Sequence, residues 1–211
     1  MLKLKTSAII PVKTFSKAKT RLNLQQTSKE EICGLMLQEV LQTISDCKLV
    51  DETVLVSKDE AALKIGRQFN TVEIFDHESG VNDAINLADQ YLSDKKFDCS
   101  VIFPQDIPIM TSSDIDSLLG FIKSAKSVII VPSRQFNGTN ALVRCPADLM
   151  KTRYDMGSYT FQVDAASTST KNISIALIRR IMLDIDDESD LEFMLKQKGK
   201  PHFCSKIESC L

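Results

Sequence analysis

The sequence predicts an α/β fold, a mostly parallel sheet covered by helices on both faces, in one domain spanning residues 1–211. Three observations predict it. Short β-branched apolar runs alternate with longer stretches whose apolar residues recur at helical spacing, which is the pattern of strands joined by crossover helices. Hydrophobic residues make up 43% of the chain and charged residues 26%, enough for a full-sized core and too apolar for a disordered chain. No repeat, low-complexity tract or linker-like stretch divides the 211 residues.

Each element has its own justification. Ser7 to Val12 is a short apolar run suited to a buried strand. Ser28 is expected to open a helix, with Glu31 at capping-box spacing and Ile32, Leu35, Met36, Val40, Leu41 and Ile44 on its apolar face. Thr53 to Ser57 is β-branched and short, hence a strand; Asp59 to Phe69 reads as helix and Val72 to Phe75 as strand. Val81 to Leu92 is helical through Ile85, Leu87, Ala88 and Leu92, and Ser100 to Phe103 is the next strand. Thr111 and Asp114 form a second capping box before Ile115, Leu118, Leu119 and Ile122. "SVIIVP" and "TNALVRC" read as strands, Ser158 to Ala166 as helix, Ile173 to Leu183 as containing a strand, and Asp187 as the start of the last helix.

Bulk properties exclude several classes. A formal net charge of −2 gives no general pull toward nucleic acid or an anionic membrane. The longest apolar runs are too short to span a bilayer, and "MLKLKTSAIIPVK" reads as a first strand, not a signal peptide. The six scattered cysteines, without a C-x-x-C pair, read as reduced thiols of a cytoplasmic protein, with no zinc site. Of the two histidines, His77 reads as a surface loop residue.

In a sheet of this kind ligands bind beyond the carboxyl ends of the strands. The first strand runs into "PVKTFSKAKTRL", where Lys13, Lys17, Lys19 and Arg21 could grip phosphates with side chains, although a solvated basic loop explains them as well. The fourth ends in "PQDIP". Its prolines stiffen the turn that holds Asp106, which suits a Mg²⁺ ligand or equally an Asx turn closing the strand. Near the last strand, "LDIDDESDL" offers Asp184 and Asp186. They are expected on opposite faces, so only one can serve a shared site, and Asp186 is the choice; Asp187 and Asp190 read as helix-capping acids. Two further polar loops stand at strand ends, one with Gly80 and Asn82, the other with Gly138, Thr139 and Asn140.

"IIPVKTFSKAKTRL", "PQDIP", "VPSRQFNGTNAL", "GSY" and "LDIDDESDL", in this order, resemble the guanylyltransferases of coenzyme F-420 biosynthesis, which use 2-phospho-L-lactate or phosphoenolpyruvate. The resemblance runs from about Ile9 to Leu191. It implies a Rossmann-like (GT-A-like) nucleotidyltransferase fold, GTP and Mg²⁺ as reactants, a phosphorylated three-carbon acid as acceptor, and a homodimer. It further implies Asp106 and Asp186 as metal carboxylates; Lys13, Lys19 and Arg21 as the triphosphate grip; Gly80 and Asn82 near the base or ribose; and Thr139, Asn140, Gly157 and Ser158 as acceptor-binding residues. Asp155 and Gln162 depart from the family pattern, and Asp155 brings a negative charge near an anionic acceptor unless it turns outward. A nucleotidyltransferase for another acceptor, or a non-catalytic nucleotide-binding module, are the rival readings. The first is opposed by a basic loop without glycine, the second by the paired acids.

Overall fold

A computed structural model describes residues 4–197 and 199–211. Strand and helix alternate from β1 (Thr6–Pro11) through α1 (Gln26–Ser45), β2 (Glu52–Val56), α2 (Glu60–Arg67), β3 (Val72–Ile74) and α3 (Val81–Asp94) to β4 (Cys99–Ile102) and α4 (Ser112–Leu119). There follow β5 (Ser127–Pro132), β6 (Thr139–Cys145), α5 (Ser158–Ser169), β7 (Ile173–Ile175), α6 (Glu188–Lys196) and α7 (Pro201–Glu208). The strands form one sheet in the order β3-β2-β1-β4-β6-β5-β7. Pairings are parallel except at β6, which runs antiparallel to both β4 and β5. β6 is reversed because only the short Ser133–Gly138 turn separates it from β5, too little chain for a crossover.

Period-two alternation along the strands divides the core between the two faces of the sheet. Ala8 and Ile10 join Met36, Leu37, Val40 and Leu41 of α1 on one face, while Ile9 joins Val54, Ile85 and Ala88 on the other. Burial on both faces is why these strands read as continuous apolar runs.

Four expectations need correction. Helix α1 begins at Gln26, so Ser28 and Glu31 lie inside it and form no capping box; Gln26 instead donates to the Ser16 carbonyl at 3.0 Å and to Glu30 at 2.9 Å. Asp187 does cap α6, accepting from the Asp190 N–H at 3.0 Å, but α6 is not the last helix, because α7 follows. Cys99 and Cys145 are not free thiols. The β4–β6 register places them opposite each other, with Cα atoms 4.5 Å apart, and they form a disulfide; Cys33, Cys47, Cys204 and Cys210 are free. Finally, Asp184 and Asp186 do not face opposite ways. In the extended stretch Ile181, Leu183 and Ile185 are buried, and the two acids between them share the other side, as residues two apart in an extended chain must.

Candidate active site

β1 and β4 lie side by side, and the chain leaves β1 toward β2 on one side and reaches β4 on the other, so a crevice opens beyond their carboxyl ends. A recess of about 340 Å³ there is lined by Lys13, Lys17 and Lys19 from the loop after β1, by Gln105 and Asp106 from the turn after β4, and by Thr139 and Tyr154. The backbone N–H of Ile185 donates to the Asp106 carbonyl at 3.0 Å, tying the last acidic segment to this turn.

Lys19 sits at the centre. Its Nζ donates to Asp106 Oδ2 at 2.5 Å and to Asp186 Oδ1 at 3.0 Å, across 87 and 167 residues of sequence. The lysine side chain is 6% exposed, so burial opposes its charge; the two carboxylates outweigh that and hold the ammonium protonated well above the ordinary range. Lys19 also adopts φ +50°, a left-handed backbone unusual for a lysine, which aims the side chain inward. Asp184 lines a small polar recess together with Asp186 and Arg21. Burial, and then the nearby Asp106 charge, push its carboxyl up to about 6, while Asn140 Nδ2 donates to it at 3.1 Å.

The sequence implies a divalent cation, and these residues fit one. Asp106 Oδ1 is buried with no hydrogen-bond partner among the described residues, and carboxylates from two distant segments already converge on one positive charge. Two hard carboxylate ligands suit Mg²⁺, which keeps its remaining positions for water and phosphate.

The other basic residues separate. Lys17 is held by Glu78, which also accepts from Lys58 at 3.0 Å and from the Thr14 N–H at 3.0 Å. These bonds hold the Glu78 carboxyl far below the usual range. Lys13 and Arg21 are exposed.

Thr139 lines the same recess as the lysines, and Ser158 Oγ, at the N-terminus of α5, donates to its Oγ1 at 3.3 Å, both residues being buried. Gly157 caps that helix at φ +75°, which favours glycine. Asn140 is 3% exposed and donates to the Ile181 carbonyl as well as to Asp184, so it braces the acidic segment. Asn82 accepts from the Tyr154 N–H at 2.8 Å and braces the loop before α5. Gly80, at φ +132°, lines a second cavity beside the recess. Asp155 turns outward and pairs with Arg153 at 3.0 Å, which removes its charge from the pocket. Gln162 is fully buried and donates to the Arg153 carbonyl at 3.0 Å. His77 is exposed and stacks edge-on against Phe75.

Sequence reasoning missed Gln105, Tyr154 and Glu78. Gln105 and Tyr154 line the recess; Gln105 Oε1 is buried without a hydrogen-bond partner among the described residues, and so is the Tyr154 hydroxyl, which lies in the interior near Arg144 and Asp89. Gln105 had a signal, being next to Asp106 on the stiff turn; Tyr154 and Glu78 are legible only in three dimensions. A larger cavity, about 630 Å³, lies elsewhere, against α6, and the acid in its lining, Asp114, is already paired with Arg180 at 2.6 Å.

Residues 6–205 match the profile of a family described as "Guanylyl transferase CofC like". The chain is 30% identical over 191 residues to the phosphoenolpyruvate guanylyltransferase of Conexibacter woesei, covering 89% of this chain and 86% of that one. It is 30% identical over 201 residues to the 2-phospho-L-lactate guanylyltransferase of Methanothermobacter thermautotrophicus, covering 93% and 87%. Its fold resembles a crystal structure assigned as a nucleotide-diphospho-sugar transferase from Desulfovibrio desulfuricans, with a TM-score of 0.75, 14% identity and 97% of each chain covered.

Proposed function

The chain belongs to the family of CofC-like guanylyl transferases, and from that premise we propose that it transfers GMP from GTP to the phosphate of a phosphorylated three-carbon acid, 2-phospho-L-lactate or phosphoenolpyruvate, releasing pyrophosphate. The observation that carries the reading is the meeting of Asp106 and Asp186 on one cationic point, in a recess that the lysines of the first loop and Thr139 also line.

An acceptor phosphate oxygen attacks the α-phosphorus of GTP, the bond to the bridging oxygen of the β-phosphate breaks, and pyrophosphate leaves with that electron pair. A phosphate monoester has its second pKa at about 6, so the nucleophile is already ionised at neutral pH and needs no general base. That suits a recess whose lining includes no histidine. Catalysis is then positioning and charge neutralisation. Asp106 and Asp186 would hold a Mg²⁺ ion, which when bound polarises phosphate oxygens and offsets their charge. Lys13 and Lys19 in the lining of the recess, and Arg21 in the small polar recess with Asp186, supply the positive charge that neutralises the leaving pyrophosphate. Thr139, Ser158 and the backbone N–H groups at the start of α5 orient the acceptor, helped by the positive end of the helix. Glu78 keeps the loop after β1 folded against the β3–α3 loop, so the lysines are pre-placed.

We further propose a homodimer across β7, one of the two edge strands of the sheet, where Ile175 is 41% exposed and Leu177, just beyond the strand, 64%. The experiment that tests the activity is pyrophosphate release from GTP with each acceptor in turn, with ATP as control. Release that needs neither acid, or that ATP supports equally, would overturn the reading.

A further inference from the structure

Beside the phosphate recess lies a cavity of about 270 Å³, which shares Pro11, Lys13 and Val81 with it. Its walls are apolar at Pro11, Val12, Val81 and Ala84, as a flat aromatic ring requires, and two acids open onto it, Glu78 and Asp76. Glu78 is fully engaged by the Thr14 N–H, Lys17 and Lys58. Asp76 is different. It is 7% exposed, and its Oδ1 accepts from the Glu78 N–H at 2.8 Å, closing an Asx turn in which Glu78 takes φ +59°. The Asp76 N–H is tied to the Ser57 carbonyl at 3.4 Å, at the end of β2. Oδ2 has no hydrogen-bond partner among the described residues, while the residue lines the cavity. A carboxylate so nearly buried, with one oxygen unmatched, calls for donors from whatever fills the space.

We infer that Asp76 reads the base, accepting from the N1–H and the exocyclic N2 amine of guanine. The inference rests on the nucleotide reading above and goes beyond it by assigning the choice of base to one residue. Guanine presents two adjacent donors on that edge, matched to the two oxygens of a carboxylate. Adenine presents a lone pair at N1 and only one amine, so the same carboxylate meets repulsion and loses a bond. Because Oδ1 keeps its spare lone pair in an Asx turn, the group is held rigidly and need not reorganise to bind.

The test is equilibrium binding of GTP, ITP, XTP and ATP to the full chain by calorimetry in Mg²⁺. The wild type should bind GTP best, ITP about tenfold or more weakly for want of the N2 amine, and ATP and XTP more weakly still. Asp76→Asn keeps an oxygen for the Glu78 N–H but offers the base one donor and one acceptor. GTP should weaken by roughly ten- to a hundredfold, the range for a hydrogen bond to a charged group, and XTP, whose C2 oxygen accepts from the new amide, should strengthen. A GTP-to-XTP ratio unchanged in Asp76→Asn, with GTP still bound by the wild type, would overturn the assignment alone. A wild type that binds none of these nucleotides would overturn the guanylyltransferase reading together with it. Should the variant fail to fold, the wild-type ratio decides, since equal affinity for GTP and ITP would mean that no acceptor reads the N2 amine.

Discussion

Asp106 is the residue on which most of the proposed chemistry turns. Its Oδ1 is buried without a partner among the described residues and its Oδ2 is held by Lys19. Asp106→Asn removes the charge while keeping the shape and the backbone bond to Ile185, so turnover should fall by at least a hundredfold with the melting temperature little changed. Near-normal activity at saturating Mg²⁺ would reject the metal assignment; a large loss of thermal stability would mark the residue as structural instead. Ser158→Ala and Thr139→Val each remove a hydroxyl from the pair. Each should raise KM for the acceptor by roughly ten- to a hundredfold, the worth of a hydrogen bond to a charged group, and leave KM for GTP nearly unchanged. A defect confined to GTP would mean that the two substrates are placed the wrong way round.

Elements position these residues through a few buried polar contacts. Arg144 of β6 is fully buried and forks onto Asp89 of α3 at 2.8 and 2.5 Å, with Ser100 Oγ and the Met150 carbonyl taking further N–H groups. This fastens α3, and with it the β3–α3 loop, to the strands that carry Asp106 and Thr139. At the other side, Asp114 accepts from the Thr111 N–H at the start of α4 and from both Arg180 Nε and Nη2, at 2.6 and 2.7 Å. Burial alone would raise the Asp114 carboxyl, but the Arg180 and Thr111 bonds outweigh it and the net shift is downward. A depressed carboxylate stabilises the fold above its unfolded pKa, about 3.9, and loses that contribution as pH falls through the lower folded value. Asp114→Asn should therefore cost about 1.5–3 kcal/mol at pH 7. Urea midpoints across pH should show the gap between wild type and variant closing below about pH 4. A gap that stayed constant into acid would mean that the ion pair contributes nothing.

At the scale of the molecule, the sheet has two edges, and the β7 edge carries the exposed apolar residues Ile175 and Leu177. Light scattering at micromolar concentration should give twice the chain mass, and Leu177→Lys should shift it toward the monomer. A monomer mass for the unmodified chain would reject the dimer. The stretch from Ile173 to Met182 is rich in apolar residues. In the folded chain Ile181 belongs to the core, so the exposed stretch is shorter and centred on the strand's end.

The sequence by itself determined the alternation of strands and helices, because periods of two and 3.6 record which faces are buried. It also determined that Asp106 stands on a rigid turn after a buried strand, because proline restricts its own backbone and its neighbour's. It misjudged where α1 starts and overlooked α7, whose eight residues bury only Phe203, Cys204 and Ile207, too few to declare a period. What only the tertiary structure decided is which distant segments meet. The sheet order sets β1 beside β4, the Ile185–Asp106 backbone bond draws in the last acidic segment, and Lys19 then lies between two carboxylates instead of in a solvated basic loop. Likewise, one of two neighbouring acids, Glu78, is neutralised by lysines from two other loops and the other, Asp76, keeps an oxygen with no hydrogen-bond partner among the described residues. Those outcomes depend on contacts between residues far apart in the chain, which local spacing does not encode.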